Sequence, residues 1–332
     1  MLRSETAASP DRFAAAMAGL RAYQAAARQP PAPPMPIVHR AGRAMLRDYG
    51  GGGRPVVFVP SLINPPTILD LGERSLMRWM VAQGFRVLLV DWGDPQDAPG
   101  NDRDLDLTAH VERMLLPMVR GLEELPVLVG YCLGGTLAIG AAAVTPVAGL
   151  ATLAAPWRFA GYGDARAAML RMWHAAKPIC AALGLVPIEL LQAGFWRLDP
   201  LRTIGKYEAF GRMEPDSAAA RSFVQLEDWA NAGAPLPFAA ACELFEAFIG
   251  RDAPSAGKWL IGGTSVDPAT LKCPAIEIVS RTDRIVPADT AAGMADRRDL
   301  AMGHVGMIVG GRAREALWEP LAAWIGSMVR PN

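Results

Sequence analysis

Residues Val127–Thr136, VLVGYCLGGT, decide how the rest of the chain is read. A short apolar run enters Gly130-Tyr131-Cys132-Leu133-Gly134-Gly135 and leaves into an alanine-rich segment. This is the pattern of a nucleophile elbow, with cysteine where serine is commoner. A side chain carried on a sharp strand-to-helix turn sits in strained backbone, and bulky neighbours two positions before or after it would collide. Gly130 and Gly134 occupy those two positions. The helix expected over 133–143 points its first amides and its dipole at Cys132, which favours a negatively charged sulfur and offers the Leu133 N–H to an oxyanion.

Working outward, no charged residue occurs from Leu125 to Pro156, a length that could cross a bilayer. Pro126, Pro146 and five glycines divide it into strand, turn, helix, loop and strand, which is how a buried parallel sheet reads. Similar strand patterns are expected at 55–59, 86–90, 126–129, 147–153, 275–279 and 299–302, with helices at about 73–83, 106–124, 133–143 and 311–328. The alternation predicts an α/β protein with a mostly parallel central sheet flanked by helices. Between Pro156 and Lys272 strand signals largely stop and helical spacing takes over, so 156–269 is expected to be a helical cap inserted in a core of 36–155 plus 270–332. Residues 1–35 read as an alanine-rich helical extension ending in the stiff, proline-rich QPPAPPMP.

With 332 residues, about half of them hydrophobic, the chain can bury a substantial core. The 33 basic residues balance 33 acidic ones, which argues against a nucleic-acid-binding surface. Most of the basic residues are arginine, and scattered arginines could hold the phosphates of a small ligand. Cys132, Cys180, Cys242 and Cys273 show neither metal-ligand spacing nor disulfide-scaffold density, so a reducing cytoplasm is expected, with no metal and no cofactor. Asp11, Arg12 and Arg21 interrupt the N-terminal helix and leave no signal-peptide core, and no transmembrane segment is expected.

A cysteine nucleophile needs a base, and the chain has four histidines. His304, in Ala301-Met302-Gly303-His304-Val305-Gly306-Met307, follows the last expected strand on a glycine-flanked loop and is the best base. His39 precedes the first expected strand, His110 lies early in a helix and His174 lies in the cap; structural roles are their default. Asp283, in the loop after the strand at 275–279, is placed to orient the imidazole. The order nucleophile, acid, histidine is that of an α/β-hydrolase fold, each residue at the C-terminal end of an expected strand. In that geometry a second oxyanion N–H comes from the loop after the first core strand, at about Leu62 or Ile63.

The chain resembles the catalytic subunits of polyhydroxyalkanoate synthases, most nearly the short class III type. The resemblance covers most of the chain and is carried by Val38-His39-Arg40, Ser61–Leu71, Val90-Asp91-Trp92-Gly93, GYCLGG, Thr282–Pro287 and Gly303-His304-Val305-Gly306. It implies Cys132 as acyl acceptor, His304 as general base and Asp283 as its partner. It also implies an (R)-3-hydroxyacyl-CoA thioester as substrate, and polyester with free CoA as products. A second synthase subunit, a homodimer and attachment to a polyhydroxyalkanoate granule surface are further implications of the resemblance alone. Thiol–thioester exchange is nearly balanced, so an acyl-cysteine retains the driving force for making an ester.

Two alternatives stay open at this point. The same residues would make a thioesterase, depolymerase or dienelactone-hydrolase-like enzyme if water took the acyl group, and GYCLGG also resembles dienelactone hydrolases. A noncatalytic granule-binding protein is the third reading, against which the intact Cys132, His304 and Asp283 argue. Asp91 and Trp92 read as structural, and Cys180, Cys242 and Cys273 as small buried groups or unreactive thiols.

Overall fold

The charge-free run that looked long enough for a membrane folds as two strands around one helix. In the computed structural model, strand Val127–Tyr131 enters helix Leu133–Val144 at Cys132 and returns through strand Gly149–Leu153, with every residue of both strands buried. Every position of the helix from Leu133 to Ala142 is buried too. Being apolar on all sides, it makes no amphipathic surface stripe and belongs in the interior. The structure describes residues 6, 9–28, 30, 32–98 and 100–329; parts of the expected N-terminal extension and proline-rich linker, and positions 99 and 330–332 of the expected core, lie outside them.

The central sheet has eight strands: β1 Ile37–Ala41, β2 Ala44–Gly50, β3 Pro55–Val59, β4 Arg86–Asp91, β5 Val127–Tyr131, β6 Gly149–Leu153, β7 Ala275–Ser280 and β8 Asp296–Leu300. Their spatial order is β1-β2-β4-β3-β5-β6-β7-β8. From β4 onward every neighbouring pair is parallel, with Val56 opposite Val127 and Val127 opposite Gly149 among the pairings. At the other edge β1 and β2 run antiparallel, as do β2 and β4. The expected α/β-hydrolase architecture is therefore the one observed.

Three departures from the sequence reading have physical causes. The hairpin β1–β2 was not among the expected strands. Its turn is the two-residue Gly42-Arg43, with Gly42 at φ +57, and its strands carry charged and half-exposed residues, so neither a strong turn dipeptide nor an apolar run announces it. The strand expected at 299–302 lies at Asp296–Leu300, because an edge strand reading DRRDL is mostly exposed and hides from a search for apolar runs. The strand expected from 147 begins at Gly149.

By contacts the chain divides into two compact units, grouping it differently from the three parts drawn from sequence. One unit joins the residues up to Pro34 to Glu189–Gly233; the other comprises Met35–Ile188 and Ala234–Asn332. In the first, helix Pro10–Ala25 packs on helix Pro200–Phe210, and Phe210 stacks on Phe223 of helix Ala218–Asn231 with ring centroids 4.4 Å apart. Buried Glu227 accepts from Lys206 Nζ at 2.7 Å and from the Tyr207 hydroxyl at 2.9 Å. In the second, the sheet is joined by helix Leu76–Ala82, a helical stretch over 107–120 and the carboxyl-terminal helix Glu319–Val329. The long helix Asp164–Leu183 packs against a helical stretch over 238–250, with Trp173 and Phe245 stacked at 5.0 Å. No helix among the described residues is long and apolar enough to cross a membrane.

Candidate active site

Cys132 sits between β5 and the helix Leu133–Val144 at φ 55 and ψ −134, a conformation that side-chain-bearing residues rarely adopt. Two features hold it there. Its N–H donates to Leu153 O at 2.9 Å, and its carbonyl accepts from Gly135 N at 2.8 Å. The turn closes only because the flanking positions lack side chains. A Cβ on Gly130 would lie 2.3 Å from the Gly135 Cα, and one on Gly134 would lie 2.1 Å from Val59 O. The expectation for both glycines is thus met by backbone packed against backbone.

The loop after β7 brings Asp283 to the same end of the sheet. One carboxylate oxygen accepts the N–H groups of Ile285 at 2.8 Å and Val286 at 2.9 Å, and the other is 2.6 Å from His304 Nδ1. The Asp283 side chain is wholly shielded from solvent. These two amide bonds fix the carboxylate independently of the imidazole, and the short contact to Nδ1 leaves Nε2 free to face elsewhere. The imidazole also lies close enough to the Cys132 side chain for the sulfur to raise its pKa. Cys132, His304 and Asp283, separated by long stretches of sequence, therefore form one connected cluster.

Burial of His304 disfavours its charged form, but the negative Cys132 and Asp283 on either side outweigh that penalty and, with the hydrogen bonds, raise its pKa to about 10. The arrangement favours the protonated imidazole.

The first residue of the helix, Leu133, has no intrahelical partner for its N–H. Of the two loop residues singled out for a second donor, Ile63 gives its N–H to Ser61 Oγ at 3.2 Å, so its donor is engaged within the loop. Gly134 packs against the Val59 and Pro60 carbonyls, which seats the helix start directly on the strand end that leads to this loop. Trp92, read as structural, donates its indole N–H to Pro60 O at 3.0 Å and thereby pins the same loop. Asp91 pairs with Arg47 at 2.7 Å and caps Gly93 N, a structural role as expected.

The remaining histidines stand apart from this cluster. His39 Nε2 contacts Gly121 O at 3.0 Å, and His174 is exposed on the helix Asp164–Leu183. His110 is fully buried between Asp106 O, Arg43 and Trp92, and burial with the Arg43 charge pushes its pKa down to about 3. Burial raises the pKa of Cys180, Cys242 and Cys273 above the ordinary thiol value, and no two of the four cysteines are bonded to each other. Among the described residues no group of three or more histidine, cysteine or carboxylate side chains could hold a metal ion.

Sequence reasoning passed over Tyr131 and Tyr162. The Tyr131 ring stacks on His304 at 4.9 Å between centroids, and its hydroxyl donates to His304 O at 3.2 Å. Tyr162 ends the short turn Phe159–Tyr162 after β6; burial and the negative Cys132 and Asp283 push its phenol well above the usual range. The position of Tyr131 beside Cys132 was a visible signal; nothing local marked Tyr162.

A sequence model of the Alpha/beta hydrolase family matches residues 56–316. The chain is 29% identical over 318 residues to the poly(3-hydroxyalkanoate) polymerase subunit PhaC of Haloferax mediterranei, covering 88% of this chain and 63% of that protein. The same subunit of Haloarcula marismortui is 26% identical, covering 81% of this chain and 60% of that protein. That of Allochromatium vinosum is 27% identical, covering 82% and 80%. The chain thus spans less than two thirds of the first two of these relatives. Among solved structures, an N-acyl homoserine lactonase is similar with a TM-score of 0.53 at 17% identity, over 89% of this chain and 98% of that one. A bacterial membrane phospholipase A is similar with a TM-score of 0.51 at 14% identity, over 88% and 86%. At such identities the structural likeness is one of fold.

Proposed function

This chain belongs to the alpha/beta hydrolase family, and we propose that within it the chain is a polyhydroxyalkanoate synthase, an acyltransferase that polymerises (R)-3-hydroxyacyl-CoA thioesters through an acyl-cysteine. The observation that carries the reading is the nucleophile itself: a cysteine at the elbow, beside His304, which is hydrogen-bonded to Asp283, in a chain similar to poly(3-hydroxyalkanoate) polymerase subunits over most of its length.

The geometry supports the following course. His304 holds the proton of the Cys132 thiol while Asp283 holds the imidazole in the tautomer that leaves Nε2 facing sulfur. The Cys132 sulfur attacks the thioester carbonyl, and the negative oxygen is received by the Leu133 N–H together with Leu62 N–H, since the Ile63 N–H is engaged by Ser61. CoA leaves as the thiol, taking the proton from His304. His304, now neutral, accepts the proton of the 3-hydroxyl of another unit as that oxygen attacks the acyl-cysteine. An ester forms, the C–S bond breaks, and the proton returns to Cys132. The reaction calls on no metal or prosthetic group. Because acyl units pass through Cys132 while the product lengthens, the enzyme stays on the surface of its growing polymer; a second subunit and self-association are parts of the same reading that rest on resemblance.

The test is product analysis after incubating the protein with (R)-3-hydroxybutyryl-CoA beside a Cys132→Ala control. CoA release with insoluble or oligomeric ester, present only with Cys132, is expected. Free 3-hydroxybutyrate in amounts equal to CoA would assign the chain to the thioesterases instead.

A further inference from the structure

The loop that carries His304 is closed by its own backbone, Met307 N–H donating to Gly303 O at 2.9 Å. Gly303 and Gly306, on either side of the histidine, bring no side chain to the ring, so its orientation is set by other segments. Asp283 anchors Nδ1, a bond that fixes that nitrogen and leaves the tilt of the buried ring to the groups packed against it. A proton shuttle between sulfur and alcohol needs that plane fixed, because Nε2 must reach both partners.

Tyr131 adds a restraint on each, main chain and ring. It is the last residue of β5, immediately before Cys132, and is 3% exposed. Its ring lies over the imidazole with an interplanar angle of 27°, and its hydroxyl donates to the main-chain oxygen of His304. Burial, with the Cys132 and Asp283 charges, keeps the phenol protonated, so the hydroxyl remains a donor throughout any working pH range. The strand that positions the nucleophile therefore also positions the base, through adjacent residues of rigid backbone.

We infer that Tyr131 is a positioning residue for the Cys132–His304 pair, its hydroxyl anchoring the main chain of the histidine loop and its ring fixing the imidazole plane. This rests on the proposed role of His304 as proton shuttle. The electron-rich face also favours the protonated ring when desolvated. The charged or titratable groups facing His304 are Cys132, Asp283 and Tyr131, while Tyr162 shares the field of the first two.

Two variants of the full chain separate the restraints. Tyr131→Phe keeps the ring and removes the hydroxyl. It should lower kcat for CoA release about fivefold, the worth of one ordinary hydrogen bond, with KM changed by less than about twofold. Tyr131→Leu removes the face as well. The His304 titration, followed by NMR of carbon-13-labelled histidine and assigned with His304→Gln, should then move down by about half a pH unit or more, whereas Tyr131→Phe should leave it in place. A merely structural tyrosine would lower thermal stability without moving the titration of the folded protein. The inference is overturned by full kcat in Tyr131→Phe, or by an unmoved His304 titration in a folded Tyr131→Leu. Should Tyr131→Leu fail to fold, the kcat and KM of Tyr131→Phe decide. If the wild-type protein releases no CoA, the proposed function fails while the histidine titration still judges Tyr131.

Discussion

Substituting Gly134 by alanine tests whether the elbow is built on backbone contact. The new Cβ would lie 2.1 Å from Val59 O and 2.4 Å from Pro60 O, where a real Cβ essentially never comes within 3.0 Å. Both obstacles are main-chain oxygens at the end of a fully buried central strand, so neither can rotate away. The helix Leu133–Val144 or the loop after β3 must move by about 1 Å. Alanine in a helix recovers at most ~1 kcal/mol relative to glycine. Forcing a methyl into a packed interior costs about 1–3 kcal/mol, and the net should be a loss of ~1–2 kcal/mol. Activity should suffer more, because a shift of about 1 Å between nucleophile and oxyanion donors is worth roughly a hundredfold in rate. Urea titrations of Gly134→Ala give the first quantity and initial rates of CoA release give the second. Gly326→Ala is the control: it lies in the helix Glu319–Val329, and its Cβ would meet only Phe85 Cζ at 4.0 Å, so it should be neutral or stabilising. Wild-type stability together with a wild-type rate in Gly134→Ala would refute the reasoning.

Two further outcomes follow from buried polar groups. His110 stays neutral in the folded protein down to about pH 3 but takes up a proton near 6.5 when unfolded. Stability should therefore fall as pH drops from about 6.5 towards 3, by up to ~1.4 kcal/mol per pH unit from this group, and urea titrations should show a shallower acid slope in His110→Gln. The Glu277 carboxylate is 2% exposed and accepts the N–H groups of Ala292, Gly293 and Met294. Glu277→Ala strands these donors and should cost ~3 kcal/mol or more, read as a lowered urea midpoint.

The sheet centre and the elbow were legible because their signals are local: unbroken apolar strands on one side and glycines at fixed offsets on the other. Cys132, Asp283 and His304 could be picked out by chain order, since each follows an expected strand at its carboxyl end, and the structure brings these three together. The edges were not legible. The hairpin β1–β2 and the charged strand β8 are strands because of what they pair with, and pairing partners are distant in sequence. The support around the cluster was hidden for the same reason. The indole of Trp92 on Pro60 O and the hydroxyl of Tyr131 on His304 O join segments that no periodicity connects.

The helix behind Cys132 has almost no slack. Gly134 rests on the Pro60 carbonyl, Gly135 on Ala155 and Gly140 on Trp259, each closer than a methyl group would permit. An engineer could therefore not enlarge any of these three positions without shifting the helix, and with it the sulfur at its first turn.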